Sequence, residues 1–252
     1  MHRAPLFALA LLLPACPAEP VDDDDDSAAA EPTPTPTPRP DWCPTQAAGR
    51  LDVRDTDASP YYFQAADVAD APTLVLLPGG AGTGGATGHA TRTWEAFFTA
   101  DLPILAEWNL AMPYVDSGSF VDDTERTHAI VDELRLCFDV DVVHLGGSSN
   151  GGNAAFALML ADSSRYSNLA TLPGCIGDYD GPAHVAAFAG RRVLNGVGAN
   201  DEAGWQNCVE SSHDFLVAQG IDSVHRVYLN VPHVPPTAWE GVSDLLEFLA
   251  GE

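Results

Sequence analysis

Between Asp141 and Phe156 the chain reads DVVHLGGSSNGGNAAF, and this stretch limits the fold more than any other. A short apolar run (Val142, Val143, Leu145) enters Gly146-Gly147-Ser148-Ser149-Asn150-Gly151-Gly152 and leaves as an alanine-rich segment. The pattern predicts a strand that turns sharply into a helix. Gly147-Ser148-Ser149-Asn150-Gly151 fits G-x-S-x-G. A turn this tight holds its apex residue, Ser149, in a strained backbone conformation and leaves its neighbours no room for side chains. It also lifts the serine hydroxyl above the sheet, with the next backbone N–H at a helix N-terminus, where a developing anion is favoured. In a chain with 22 glycines the expression alone is weak, and the flanking strand and helix give it its weight.

The remaining sequence alternates in the same way. Residues 51–53 and 61–64 read as short leading strands. The continuous apolar run TLVLL at 73–77 has the signature of a strand buried on both faces, and it breaks at Pro78 into a glycine-rich loop over 79–85. A helix is expected over 91–99 and a strand over 108–114. Another helix is expected over 122–137, where Ile130, Val131, Leu134 and Cys137 fall at helical spacing. After the central stretch, whose helix is expected over 153–161, come strands at 168–172 and 192–196, a helix at 203–218, a strand at 225–231 and a closing helix at 242–249. Such an order implies an α/β fold, a mainly parallel sheet with helices on both faces.

The N-terminal part reads differently. Residues 1–15 hold one arginine (Arg3) and then an apolar run, LFALALLL, too short to span a bilayer but suited to a signal-peptide core. The run ends Leu13-Pro14-Ala15-Cys16, similar to a bacterial lipobox, so Cys16 is the expected lipidation site; an ordinary secretory signal is the alternative. Residues 16–40, with Asp22 to Asp26 unbroken and PTPTPTP after them, cannot bury a core and read as an extended tether. A calcium site on the aspartates is disfavoured, since the run lacks the spaced ligands and glycine of a binding loop. Residues 41–252 are expected to form one domain outside the cytoplasm, held at a membrane through the lipid alone.

Composition narrows the partners. A formal charge of −25, with no lysine, argues against nucleic acid and against adhesion of the domain to anionic lipid. With Cys16 set aside, Cys43, Cys137, Cys175 and Cys208 form an even set in an oxidising compartment, which suggests two disulfides out of three possible pairings. Cys175 follows one expected strand and Cys208 lies just past Asp201 after the next, so Cys175–Cys208 and Cys43–Cys137 are favoured. Their spacings do not suggest zinc, and no metal or cofactor is expected.

A serine hydroxyl becomes nucleophilic only when a base takes its proton and an acid orients that base. Asp201 follows the strand at 192–196 and is the expected acid, with Glu202, Asp178 and Asp180 as alternatives and helix capping as the competing role. His233 follows the last expected strand, in a loop stiffened by Pro232, Pro235 and Pro236, and is the expected base. His144 reads as a core residue, and His213 and His225 are the alternative bases. The oxyanion hole needs two backbone donors: the N–H of Asn150 and one from the glycine-rich loop, Gly80 before Ala81. That loop has no lysine and no G-x-x-x-x-G-K-[ST] pattern, so it is not a phosphate cradle.

The segment from Asp122 to Gly152, with VDD, a helix ending in cysteine, a strand and GSSNGG, resembles secreted polyhydroxybutyrate depolymerases and feruloyl or acetylxylan esterases of the α/β-hydrolase superfamily. The resemblance covers the core from about Thr73 to His233. It implies an α/β-hydrolase fold with Ser149 as nucleophile, Asp201 as acid, His233 as base, and Asn150 with Gly80 as oxyanion donors. Two departures stand out. Pro78 occupies the place of the histidine in an HG motif, and the short interval from Ser149 to Asp201 leaves no room for a large lid domain. The expected function is cleavage of carboxylic esters, small or polymeric, with short acyl, feruloyl, acetyl or hydroxyalkanoate groups. A catalytically silent hydrolase fold used for binding and a serine peptidase are the alternatives.

Overall fold

The organising unit is a sheet of eight strands in the order β1-β2-β4-β3-β5-β6-β7-β8. The computed structural model describes residues 43, 50–54, 61–83, 88–99, 102–115, 120, 124–177, 179–233 and 240–251. The expected signal segment, the tether and Cys16 lie outside these residues. The strands are β1 (Arg50–Arg54), β2 (Tyr61–Gln64), β3 (Thr73–Leu77), β4 (Asn109–Pro113), β5 (Val143–Gly147), β6 (Leu169–Thr171), β7 (Arg192–Gly198) and β8 (Asp222–Tyr228). β2 runs antiparallel to β1 and β4, and every other pair is parallel.

Among the described residues six α-helices cover the sheet: α1 (His89–Thr99), α2 (Thr124–Phe138), α3 (Asn150–Ala161), α4 (Gly181–Phe188), α5 (Ala203–Ala218) and α6 (Glu240–Ala250). The apolar run of β3 explains why both faces are covered. Val75 and Leu77 join a core with Ile130, Leu134, Phe156 and Leu216, under α2, α3 and α5. Leu74 and Leu76 join a second core with Trp94, Leu245 and Leu246, under α1 and α6. A strand with alternate side chains in two separate cores has no polar face, which is why TLVLL carries none. Among the described residues there is no large lid insertion, and no helix is long and apolar enough to cross a membrane.

Four local expectations need correction. α4 was not expected: GPAHVAAF is apolar nearly all round and short, so it shows no helical stripe. It begins at a helix-start signature, Asp180 capping and Pro182 in the first turn. His184 lies inside this helix, and α1 starts at His89, two residues before the expected 91. α3 starts at Asn150, three residues before the expected 153, because the elbow glycines are already helical. The last strand spans Asp222–Tyr228, not 225–231, so His225 sits mid-strand opposite Asn195. Its polar opening, Asp222-Ser223, belongs to an edge strand paired on one side, where apolar alternation is not required.

Two disulfides join Cys43 to Cys137 and Cys175 to Cys208. The first ties α2 to the chain ahead of β1. The second ties the loop after β6 to α5.

Candidate active site

The carboxyl ends of the parallel strands converge where the strand order reverses, between β3 and β5, the usual crevice of an open α/β sheet. β5 ends in register with β3, Gly147 opposite Leu77, and the chain turns at once into α3. Ser149 sits at the apex with φ +55° and ψ −123°, a left-handed conformation that a side-chain-bearing residue adopts rarely. The strain is held by its surroundings. Ser149 N–H donates to Pro173 O at 2.7 Å, Ser148 N–H to Leu77 O at 3.1 Å and Asn153 N–H to Ser149 O at 3.0 Å. A Cβ on Gly151 would strike the carbonyls of Leu77 and Pro78, so the turn can close only on glycine there.

The acid and base come from the other half of the sheet. Asp201 follows β7, with its carboxylate fully withdrawn from solvent and Oδ1 accepting the Glu202 N–H at 2.6 Å. His233 follows β8. Its Nδ1–H donates to Asp201, with both carboxylate oxygens at 2.9 Å. Its Nε2 accepts the Ser149 hydroxyl at 2.9 Å. The carboxylate on Nδ1 fixes the tautomer, leaving the Nε2 lone pair for the serine. Acid, base and nucleophile thus form one unbroken relay from 201 through 233 to 149.

The alternatives fall elsewhere. Asp180 caps α4 through the Ala183 N–H, and Asp178 lies outside the described residues. Glu202 reaches the site only through its backbone N–H on Asp201. His213 bonds Ser223 Oγ at 2.9 Å, and its ring stands 5.7 Å from that of His225. Burial, with the neighbouring His213 second, lowers the pKa of His225. Among the described residues, His233 is the imidazole that meets Ser149. His144 is a core residue of β5, 4% exposed.

The Pro232 side of the His233 loop is described, but Pro235 and Pro236 lie outside the described residues. In the glycine-rich loop, Gly80 has φ +63°, and a Cβ there would stand 2.5 Å from Cε1 and Nε2 of His89. Gly82 N–H closes a turn onto Gly79 O at 3.2 Å. The N–H groups of Gly80, Ala81 and Asn150 have no acceptor among the described residues.

One participant was invisible in the sequence. Trp205, in the first turn of α5, lies against the His233 ring with centroids 4.8 Å apart and planes at 37°. No spacing in the chain pointed to it, because the contact forms only when α5 and the loop after β8 are packed together.

No family model matches the chain. A 138-residue stretch is 33% identical to a 2-hydroxy-6-oxononadienedioate/2-hydroxy-6-oxononatrienedioate hydrolase of Cupriavidus pinatubonensis, covering 51% of this chain and 45% of that protein. The chain therefore spans about half the length of that relative. Among solved structures, a carboxylesterase from Mesorhizobium loti superposes with TM-score 0.59 at 18% identity, over 80% of this chain and 99% of the other. Est1E from Butyrivibrio proteoclasticus does so with TM-score 0.58 at 15% identity, over 81% and 98%. Likeness at such identity concerns the fold. The chain has the α/β-hydrolase fold, and with Ser149, His233 and Asp201 assembled on it the arrangement supports a serine ester hydrolase activity.

Proposed function

We propose that the protein cleaves carboxylic esters through an acyl-enzyme on Ser149. The observation that carries this reading is the relay from Ser149 Oγ through His233 to Asp201, with each step at 2.9 Å. Ser149 Oγ attacks the ester carbonyl while its proton passes to His233 Nε2, and the imidazolium is stabilised by Asp201 on Nδ1. The carbonyl oxygen becomes an oxyanion, received by the N–H of Asn150 at the start of α3 and the N–H of Gly80. The intermediate collapses, the C–O bond to the alcohol breaks, and Nε2 returns the proton to the leaving alkoxide. A water molecule then attacks the acyl-enzyme with His233 again as base, releasing the carboxylic acid and restoring Ser149.

With no large lid insertion among the described residues, the site suits short acyl groups or polymer ends, in keeping with acetyl, feruloyl or hydroxyalkanoate esters. The test is hydrolysis of nitrophenyl esters of graded chain length, together with fluorophosphonate labelling, by the wild type and by Ser149→Ala. Activity and label that survive in a folded Ser149→Ala protein would remove Ser149 from the mechanism. The 33% identity to a dienedioate hydrolase favours a second reading, hydrolysis of a 2-hydroxy-6-oxo-dienedioate by the same serine. Assaying that compound beside the nitrophenyl esters separates the two.

We further propose that the protein is exported and lipidated on Cys16. The lipobox-like Leu13-Pro14-Ala15-Cys16 and the paired cysteines, which suit an oxidising compartment, support this. Cys16→Ser should move the protein from the membrane fraction to the soluble one, and unchanged partitioning would refute the anchor.

A further inference from the structure

Asn150 carries more than the backbone amide that the oxyanion reading uses. Its side chain is exposed at the start of α3, yet its Nδ2–H reaches across the crevice to donate to Gly80 O at 3.0 Å. The two residues stand 70 apart in sequence, one opening α3 after the serine and the other in the glycine-rich loop after β3. A carbonyl and the following N–H lie in one planar trans peptide and point in opposite directions. A Gly80 carbonyl drawn towards Asn150 therefore turns the Ala81 N–H away from the start of α3. The Gly80 N–H, on the preceding peptide, is left as the loop's donor.

The other face of Gly80 is covered by the His89 ring, from which a Cβ on Gly80 would stand 2.5 Å. His89 Nδ1 in turn accepts from Arg92 Nη2 at 3.2 Å, which fixes how that ring is turned. A loop built of Gly79, Gly80 and Gly82 has little intrinsic preference for one peptide orientation. An oxyanion donor is effective only when its direction is set before the charge develops.

We propose that the Asn150 side chain is a positioning residue for the oxyanion hole. It pins the Gly80–Ala81 peptide against the His89 ring, so that the residue after the nucleophile supplies one donor through its backbone and aims the other through its side chain. The proposal rests on the reading of Ser149 as the nucleophile.

The test uses the full chain with Asn150→Ala and Asn150→Gln, the latter keeping an amide one methylene longer. Each is assayed for kcat and KM on a short nitrophenyl ester, and for inhibition by phenylboronic acid, whose serine adduct is a tetrahedral anion. Fluorophosphonate labelling counts the competent serines. Asn150→Ala should lower kcat about 10- to 100-fold, change KM less than about threefold and weaken the boronic acid by a factor like that on kcat. Asn150→Gln should recover part of both. Label incorporation should stay at one per chain. Wild-type kcat and boronic-acid affinity in Asn150→Ala would overturn the proposal, as would a rise in KM alone, which would make Asn150 a substrate contact. A wild-type protein that neither takes the label nor cleaves esters would instead overturn the hydrolase reading, and the proposal with it.

Discussion

His144 gives the fold a measurable acid sensitivity. It is the second residue of β5, opposite Leu74 of β3, with Trp108 edge-on to its ring at 5.4 Å. Its Nδ1 accepts the backbone N–H of Asn168 at 3.3 Å, a bond that requires Nδ1 unprotonated. Burial among apolar groups disfavours the imidazolium and lowers the pKa from 6.5 to about 4. The folded protein therefore keeps His144 neutral where the unfolded chain takes up a proton. The stability at stake is fully present above pH 6.5, is lost as pH falls towards 4, and is lost no further below that. At about 1.4 kcal/mol per pH unit, the gap amounts to about 3 kcal/mol in full and about 2.5 kcal/mol at pH 4.5. Urea unfolding of the wild type and of His144→Leu, each at pH 7.5 and pH 4.5, isolates this contribution. The leucine variant loses the Asn168 bond at both pH values, and all other titrations are common to the two proteins, so the difference of differences belongs to His144. The wild type should lose about 2.5 kcal/mol more than the variant on acidification. Losses equal to within about 0.5 kcal/mol would refute the desolvation argument.

Other outcomes test the site and its frame. Ser149→Ala and His233→Ala should each lower kcat by a factor on the order of a million, and Asp201→Asn by on the order of ten thousand, with all three still folded by circular dichroism. If His233→Ala stays active, the base lies elsewhere. Replacing Cys175 and Cys208 together by serine opens a loop of 33 residues and should cost roughly 3–4 kcal/mol in denaturant unfolding; an unchanged midpoint would show that the link carries no stability. Trp205→Ala should lower kcat about tenfold through loss of the aromatic support under His233, and Trp205→Phe should restore most of it. A Trp205→Phe protein as slow as Trp205→Ala would refute the stacking role.

The parts legible in sequence were those whose cause is local. TLVLL must be buried on two faces, so its continuous hydrophobicity announces β3. G-x-S-x-G records a turn that only small neighbours permit, and Ser149 is found at the φ that such a turn demands. Asp201 and His233 could be located because parallel strands deliver their carboxyl ends to one edge. What stayed hidden depends on contacts across the fold. α4 has no apolar stripe, since its exposed Pro182, Ala183, Val185 and Ala186 are as apolar as its buried Ala187 and Phe188. β8 has one neighbouring strand among the described residues and tolerates a polar start. Trp205 meets His233, and Asn150 meets Gly80, only once separate elements are packed side by side. No spacing in the chain encodes such meetings.

The relay itself raises a mechanical question, because its nucleophile and its base stand on different scaffolds and must stay 2.9 Å apart. Ser149 belongs to β5 and α3. Asp201 and His233 belong to β7, β8 and α5, knit together by Ala199 N–H to Tyr228 O and Asn200 N–H to Val231 O, each at 2.9 Å. The strand between them, β6, has only three residues, too few to fix the separation by its ladder alone. The loop after it supplies the missing ties. Towards the serine, Pro173 O accepts the Ser149 N–H, and the Cys175 N–H donates to Asn153 Oδ1 of α3 at 2.7 Å. Towards the acid, Asn195 of β7 clasps Gly174 at both its N–H and its carbonyl while Oδ1 accepts Thr171 Oγ1 at 2.6 Å. Ser212 of α5 accepts the Ile176 N–H at 3.1 Å. The Cys175–Cys208 disulfide joins the same loop to the same helix covalently. Each polar tie is a buried or partly buried group that would be left unsatisfied if the halves moved apart, so polar satisfaction around residues 171–176 holds the separation of nucleophile and base alongside the apolar core that α3, β7 and α5 share.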